Sequence, residues 1–161
     1  MPSLLPWMVL CVLGVTSLTQ ADQYSFSSVV GRASGLQYAT EGDGHITSIR
    51  VWDAYGYIAG FQLRYAITWG PVYGRRIGQA TELELTEGEG IVQLSGKYNY
   101  RNYIWQLMFV TSRGRSLVAG QPSGSSFNFY PTNSSSELLI LSGRVNRYGI
   151  TAIGAHWGWS T

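Results

Sequence analysis

Three stretches of this chain carry one apolar pattern at a fixed spacing, and that repeat constrains the fold more than any single residue. Ile58, Ile104 and Ile150 stand 46 residues apart, and Phe61, Leu107 and Ile153 keep the same interval. Ahead of the later two copies stand near-identical runs, Leu94-Ser95-Gly96-Lys97 and Leu141-Ser142-Gly143-Arg144. A period of this length marks an array of like units, each too small to bury its own apolar face. Three such units predict threefold pseudo-symmetry, with three hairpin tips gathered at one end. A shared rim of loops is where binding is expected.

Within each unit the apolar residues alternate. Phe61, Leu63 and Tyr65 interleave with Gln62 and Arg64; Leu107, Phe109 and Thr111 form a second set. No i, i+3, i+4, i+7 pattern is sustained beyond the first 21 residues, so strands are predicted throughout. The 20 glycines fall mostly between strand candidates, as at Tyr55-Gly56, Gly88-Glu89-Gly90 and Arg113-Gly114. Ten to twelve short strands joined by glycine-rich turns predict an all-β fold. The threefold repeat narrows it to a prism of three sheets.

Residues 1–21 read as a secretory signal peptide. Leu4 to Leu18 is uncharged and mostly apolar, and Thr19-Gln20-Ala21 offers a small-residue cleavage site. The run is shorter than the roughly 20 apolar residues of a spanning helix, so the chain is expected to be secreted and not membrane-spanning. Residues 22–161 then form a single domain. The one cysteine, Cys11, leaves with the signal, which removes disulfides, zinc thiolates and a cysteine nucleophile from consideration.

Charge is sparse and uneven. Residues 22–90 hold five basic and eight acidic side chains, whereas residues 91–161 hold six basic and one acidic. Ten of the eleven basic residues are arginine, whose planar fork suits sulfate, phosphate and carboxylate. A basic patch facing acidic glycans is one reading, and ordinary solubilising charge is the other. A secreted chain of net charge +2 is not expected to bind nucleic acid.

Catalytic patterns are thin. There are two histidines, His45 and His156; His156 falls on a strand at the repeat position of Arg64 and Val110, with no second histidine or carboxylate nearby in sequence to form a metal pair. Glu82 and Glu84 lie on one strand face, the pattern of a solvated edge. No Gly-x-Ser-x-Gly elbow leads into a helix. Gly31-Arg32-Ala33-Ser34-Gly35 lacks the lysine and helix of a phosphate loop. Neither an enzyme nor a cofactor is expected.

The hairpin tips are richer. The second reads Lys97-Tyr98-Asn99-Tyr100-Arg101-Asn102-Tyr103 and the third Val145-Asn146-Arg147-Tyr148-Gly149. Aromatic faces stack on the apolar face of a sugar ring, while amides and guanidinium groups bond its hydroxyls. Tyrosine at sheet edges and asparagine in turns would produce the same letters without binding. Asn133-Ser134-Ser135 is an N-glycosylation triplet in a polar stretch after Pro131.

Asp43-Gly44-His45-Ile46-Thr47, Val92 to Tyr98, Phe109-Val110-Thr111 and Ala152 to Trp157 resemble the zymogen granule protein 16 family of jacalin-related lectins. The resemblance spans residues 22–161 nearly end to end. It implies a β-prism I fold of three four-stranded antiparallel sheets, with sugar bound at one end by three loops. It maps the glycine-rich first loop to Gly31, Arg32 and onward to Gly35, and the recognition loop to Lys97, Tyr98, Asn99, Tyr100, Arg101 and Tyr103. The third loop falls on Asn146, Arg147, Tyr148, Gly149, Ile150 and Thr151. The family's Gly-x-x-x-Asp places its glycine at Arg147 and its aspartate at Thr151, so both are changed here. A hydroxyl does not replace an ionised acceptor of charge-assisted hydrogen bonds.

The expected partners are therefore glycans of glycoproteins or proteoglycans, with acidic or sulfated ones, such as glycosaminoglycans, favoured over mannose. Arg101, Arg144 and Arg147 are then expected to converge with Lys97, and Arg32 to approach them. The alternative is a secretory granule component that binds proteins and has lost sugar binding. Either places the protein outside the cell or in the granule lumen.

Overall fold

The computed structural model describes residues 24–159, so the expected signal peptide lies outside the described residues. Twelve strands and no helix make up the described chain: β1 (Ser25–Gly31), β2 (Leu36–Ala39), β3 (Ile46–Ala54), β4 (Tyr57–Tyr65), β5 (Thr68–Gly74), β6 (Gln79–Glu84), β7 (Ile91–Tyr98), β8 (Ile104–Thr111), β9 (Ser116–Gly120), β10 (Ser125–Phe129), β11 (Glu137–Val145) and β12 (Ile150–Gly158). They form three four-stranded antiparallel sheets, ordered β1-β12-β11-β2, β10-β7-β8-β9 and β5-β4-β3-β6. The three-sheet prism read from the repeat is the observed fold.

At the centre of each sheet stands one long hairpin, β3–β4, β7–β8 or β11–β12. All three break register at matched points. Near the tip, Trp52 pairs with Gly60 but Asp53 pairs with Ile58; Lys97 pairs with Gln106 but Tyr98 with Ile104; Arg144 pairs with Ala152 but Val145 with Ile150. Ala59, Trp105 and Thr151 are the extra residues. A second break, at Thr47, Val92 and Leu139, lies near the opposite end. Bulges bend a strand and raise its twist, and their threefold recurrence wraps three sheets around one axis. The repeat positions also agree in register: Arg64, Val110 and His156 pair with Ser48, Gln93 and Ile140, each the residue after the second break.

The repeat residues meet on the axis. Ile58, Ile104 and Ile150 are fully buried, as are Phe61, Leu107 and Ile153, and Ile49, Leu94 and Leu141 complete a further layer. One core cluster joins all three sheets. Each sheet buries one face, which is why apolar and polar residues alternate along its strands. Among the described residues no buried side-chain nitrogen or oxygen lacks a hydrogen-bond partner.

Candidate functional site

The three tips do gather at one end, and the first is their hub. Tyr57, which opens β4, stacks on Tyr103 of the second tip, with ring centroids 4.2 Å apart and planes 16° from parallel. Trp105 meets the same ring edge-on at 6.1 Å, and Tyr55 lies 6.3 Å away on the solvent side. From the third tip, Gly149 packs so closely that a β-carbon there would lie 2.7 Å from the Ile58 carbonyl and 2.9 Å from the Tyr57 ring. Burial, and then the neighbouring Tyr103, push the Tyr57 pKa above its ordinary value.

The asparagines shape these tips. Asn99 Oδ1 accepts from Arg101 N (2.9 Å), and Asn102 Oδ1 from Tyr103 N (2.6 Å) and Trp105 Nε1 (2.9 Å). Asn146 Oδ1 accepts from Tyr148 N (2.8 Å) and Gly149 N (3.1 Å). Those carbonyl oxygens, assigned to sugar hydroxyls from the sequence, hold the turns.

The first loop is tied to the third hairpin. Arg32 N donates to Thr151 O (2.8 Å), Thr151 Oγ1 donates to Ser34 O (3.1 Å), and Arg144 Nη1 donates to Gly35 O (3.1 Å). Gly31 adopts φ +113°, and a β-carbon would fall 2.3 Å from Thr151 O, so only glycine lets the loop approach. Thr151 and Ile150 are both 0% exposed. These two candidates build the rim from beneath, and the Thr151 hydroxyl, at the position to which the resemblance assigns a carboxylate, faces Ser34.

The other candidates separate into open and inward groups. Tyr100, Arg101, Arg147, Tyr148 and Arg32 are exposed; Tyr103, Asn99, Asn146 and Lys97 are half-buried; Tyr98 leans on Phe127 at 6.2 Å, against the core. The expected convergence of the cations is limited. Lys97 Nζ donates to Ser126 Oγ of the β10 edge (2.7 Å), Arg101 Nε to Tyr100 OH (3.0 Å), and the Arg147 guanidinium lies 4.6 Å over the Tyr148 ring. Arg32 and Arg144 line a common groove of about 590 Å³ with Gln37 and Tyr38. The cations share one end, but Lys97, Arg101 and Arg147 each engage a different neighbouring side chain.

Their placement exposes a charge polarity that sequence halves conceal. Arg32, Arg75, Arg76, Lys97, Arg101, Arg144 and Arg147 occupy the tips, the loops beside them or the adjoining strand ends. Asp53, beside a hollow of about 340 Å³ lined by Tyr55 and Gln79, is the one carboxylate at that end among the described residues. Glu41, Asp43, Glu84, Glu87, Glu89 and Glu137 lie toward the other end. There Glu89 is buried and accepts from Arg115 Nε (3.0 Å), Thr86 N (2.9 Å) and Thr111 Oγ1. Those bonds, Arg115 first, hold its carboxyl far below the usual carboxylate range. His45 pairs with Glu137 at this end, while His156 sits on the outer face of β12 against Ser142 and Phe26.

Sequence reading missed Tyr55, Tyr57 and Trp105. The repeat held the signal: Tyr57 precedes Ile58 as Tyr103 precedes Ile104 and Gly149 precedes Ile150.

The family described as the jacalin-like lectin domain matches residues 27–156. Zymogen granule membrane protein 16 of Homo sapiens is 39% identical over 152 residues, which cover 92% of this chain and 89% of that protein. The crystal structure of a prostate-specific WGA16 glycoprotein lectin superposes with a TM-score of 0.74 at 31% identity, over 85% of this chain and all of that one. The artocarpin–mannotriose complex, 20% identical with a TM-score of 0.70 over 85% of this chain and 99% of that one, shares the fold.

Proposed function

This chain belongs to the jacalin-like lectin domain family, and from that membership we propose that it is a secreted, non-catalytic lectin whose tip end takes acidic or sulfated glycans. The observation that carries this reading is the polarity of charge: seven of the eleven basic residues lie at the tip end against one described carboxylate. Exposed tyrosines at the same end, Tyr55, Tyr100 and Tyr148, supply ring faces for sugar. The third tip carries no carboxylate, which weakens the case for simple mannose and leaves the cations as the charged groups there.

One shallow rim binds a single sugar weakly. Millimolar affinity corresponds to roughly 4 kcal/mol, so useful retention needs clustered ligands. Salt screens exposed charges over about 8 Å at physiological ionic strength, so binding falls between low and physiological salt. The test compares heparin with mannan across that range. Heparin binds more tightly, and replacing Lys97, Arg101 and Arg147 together by serine removes its retention while thermal unfolding remains a single cooperative transition. Tighter mannan binding, or retention unchanged in the triple variant, overturns the reading.

A second reading rests on the buried Thr151 and on the names of the mammalian relatives: a secretory granule component that binds proteins. Co-sedimentation with granule proteins that persists after enzymatic deglycosylation supports it, and loss of association after that treatment counts against it.

A further inference from the structure

The turn between β10 and β11 holds the triplet Asn133-Ser134-Ser135, which the tip end does not use. Asn133 Oδ1 accepts hydrogen bonds from Ser135 N (3.0 Å) and Ser135 Oγ (2.7 Å), and Asn133 O accepts from Ser136 N (3.0 Å). This is an Asx turn closed on itself. Both side-chain bonds run to the carboxamide oxygen, leaving the nitrogen outside that network. Ser134 and Ser135 are exposed, Asn133 is half-buried, and Ser136 is buried as the anchor of the turn.

The position within the prism matters as much as the triplet. Glu137, which opens β11, follows the turn, and β11 runs from there to the third tip, so the triplet stands at the end opposite the tips. Ser134, Ser135 and Ser136 line a groove of about 630 Å³ there with His45, Glu87 and Glu137.

We propose that Asn133 is N-glycosylated and that its oligosaccharide stands over this groove, away from the tips. The donor is an oligosaccharide carried on a polyprenyl diphosphate. Asn133 Nδ2 attacks the anomeric carbon and loses a proton. The bond from that carbon to the diphosphate oxygen breaks, its electron pair leaves with the lipid diphosphate, and nothing is oxidised or reduced. Attached there, the glycan adds bulk to the acidic end and leaves the basic end of the same molecule open.

The test expresses the full chain behind the cleavable signal of a strongly secreted protein, which makes lumenal entry independent of residues 1–21. Intact-mass measurement of the secreted chain shows a discrete oligosaccharide increment. Asn133→Gln and Ser135→Ala abolish it, Ser135→Thr keeps it, and enzymatic release of the glycan leaves aspartate at position 133. A secreted chain of unmodified mass, or an increment that survives Asn133→Gln, overturns the proposal. Hydrogen exchange of the glycosylated chain against Asn133→Gln tests placement. Slower exchange confined to residues 43–47, 86–90 and 131–137 supports it, and changes at residues 97–103 or 145–150 refute it.

Discussion

Tyr57 and Tyr103 stack across two hairpins at 4.2 Å, joining the first repeat to the second at the end where the third also arrives. Neither ring makes this contact within its own repeat unit. Aromatic pairs of this geometry contribute about 0.5–1.5 kcal/mol beyond their burial. Tyr57→Ala is expected to lower unfolding stability by at least that amount and to weaken heparin retention by loosening the second tip. Tyr57→Phe keeps the stack and both properties. Chemical denaturation and a heparin column read the two effects separately, and a Tyr57→Ala protein with unchanged retention would remove the first tip from the site.

Gly149 packs beneath that stack. Gly149→Ala forces a β-carbon against the Ile58 carbonyl and the Tyr57 ring. Overpacking of this kind costs about 1–3 kcal/mol. The midpoint of urea unfolding falls, while Gly70→Ala, whose backbone is not left-handed and whose added β-carbon comes no nearer than 3.4 Å to the Leu63 carbonyl, moves it less.

The three axial isoleucines offer an internal control on the symmetry. Ile58, Ile104 and Ile150 are each 0% exposed in one core cluster. Truncation to alanine costs about 2–5 kcal/mol at a buried site, and equivalent surroundings make the three losses similar. One variant near neutral in denaturant titration would show that the repeat of sequence is not a repeat of packing.

Glu89 sets the acid limit of the fold. Its pKa is held down in the folded chain, chiefly by Arg115, while the unfolded carboxyl titrates near 4.3. The folded chain therefore binds fewer protons, and this stabilisation is complete above the unfolded pKa and is lost as pH falls below it toward the depressed folded value. Glu89→Gln lowers the thermal midpoint at pH 7 by roughly 5 °C or more, and the gap to the parent protein closes as pH falls below about 4. A constant gap down to strong acid would contradict the ion pair.

Tyr65, with the buried Tyr38, contributes to an alkaline limit in the opposite sense. Burial pushes its pKa up to about 12, against the opposing hydrogen bond with Thr40, and its hydroxyl also reaches Leu139 O at 2.7 Å. The folded chain holds the proton that the unfolded chain releases near pH 10. Stability from this group is present below pH 10 and declines as pH rises toward about 12. Tyr65→Phe flattens that decline in thermal melts, at the expense of the two hydrogen bonds near neutral pH.

Periodicity in the chain was sufficient for the prism, because burying one face of a strand imposes an alternation that a reader of letters can see. The interval between Ile58, Ile104 and Ile150 carried the threefold axis, since each residue must fill the same place around it. The placement of charge could not be read this way. Arg113 and Arg115 belong to the basic half of the sequence yet lie at the acidic end, beside Glu87 and Glu89, because a hairpin returns the chain to the end it left. The same holds for the site. Tyr57 joins the rim, Thr151 sinks beneath it, and the carbonyl oxygens of Asn99 and Asn146 close on their own turns. A linear pattern records which face a residue occupies on its own strand. Contacts between hairpins 46 residues apart depend on how three sheets close around one core, and only the folded chain decides them.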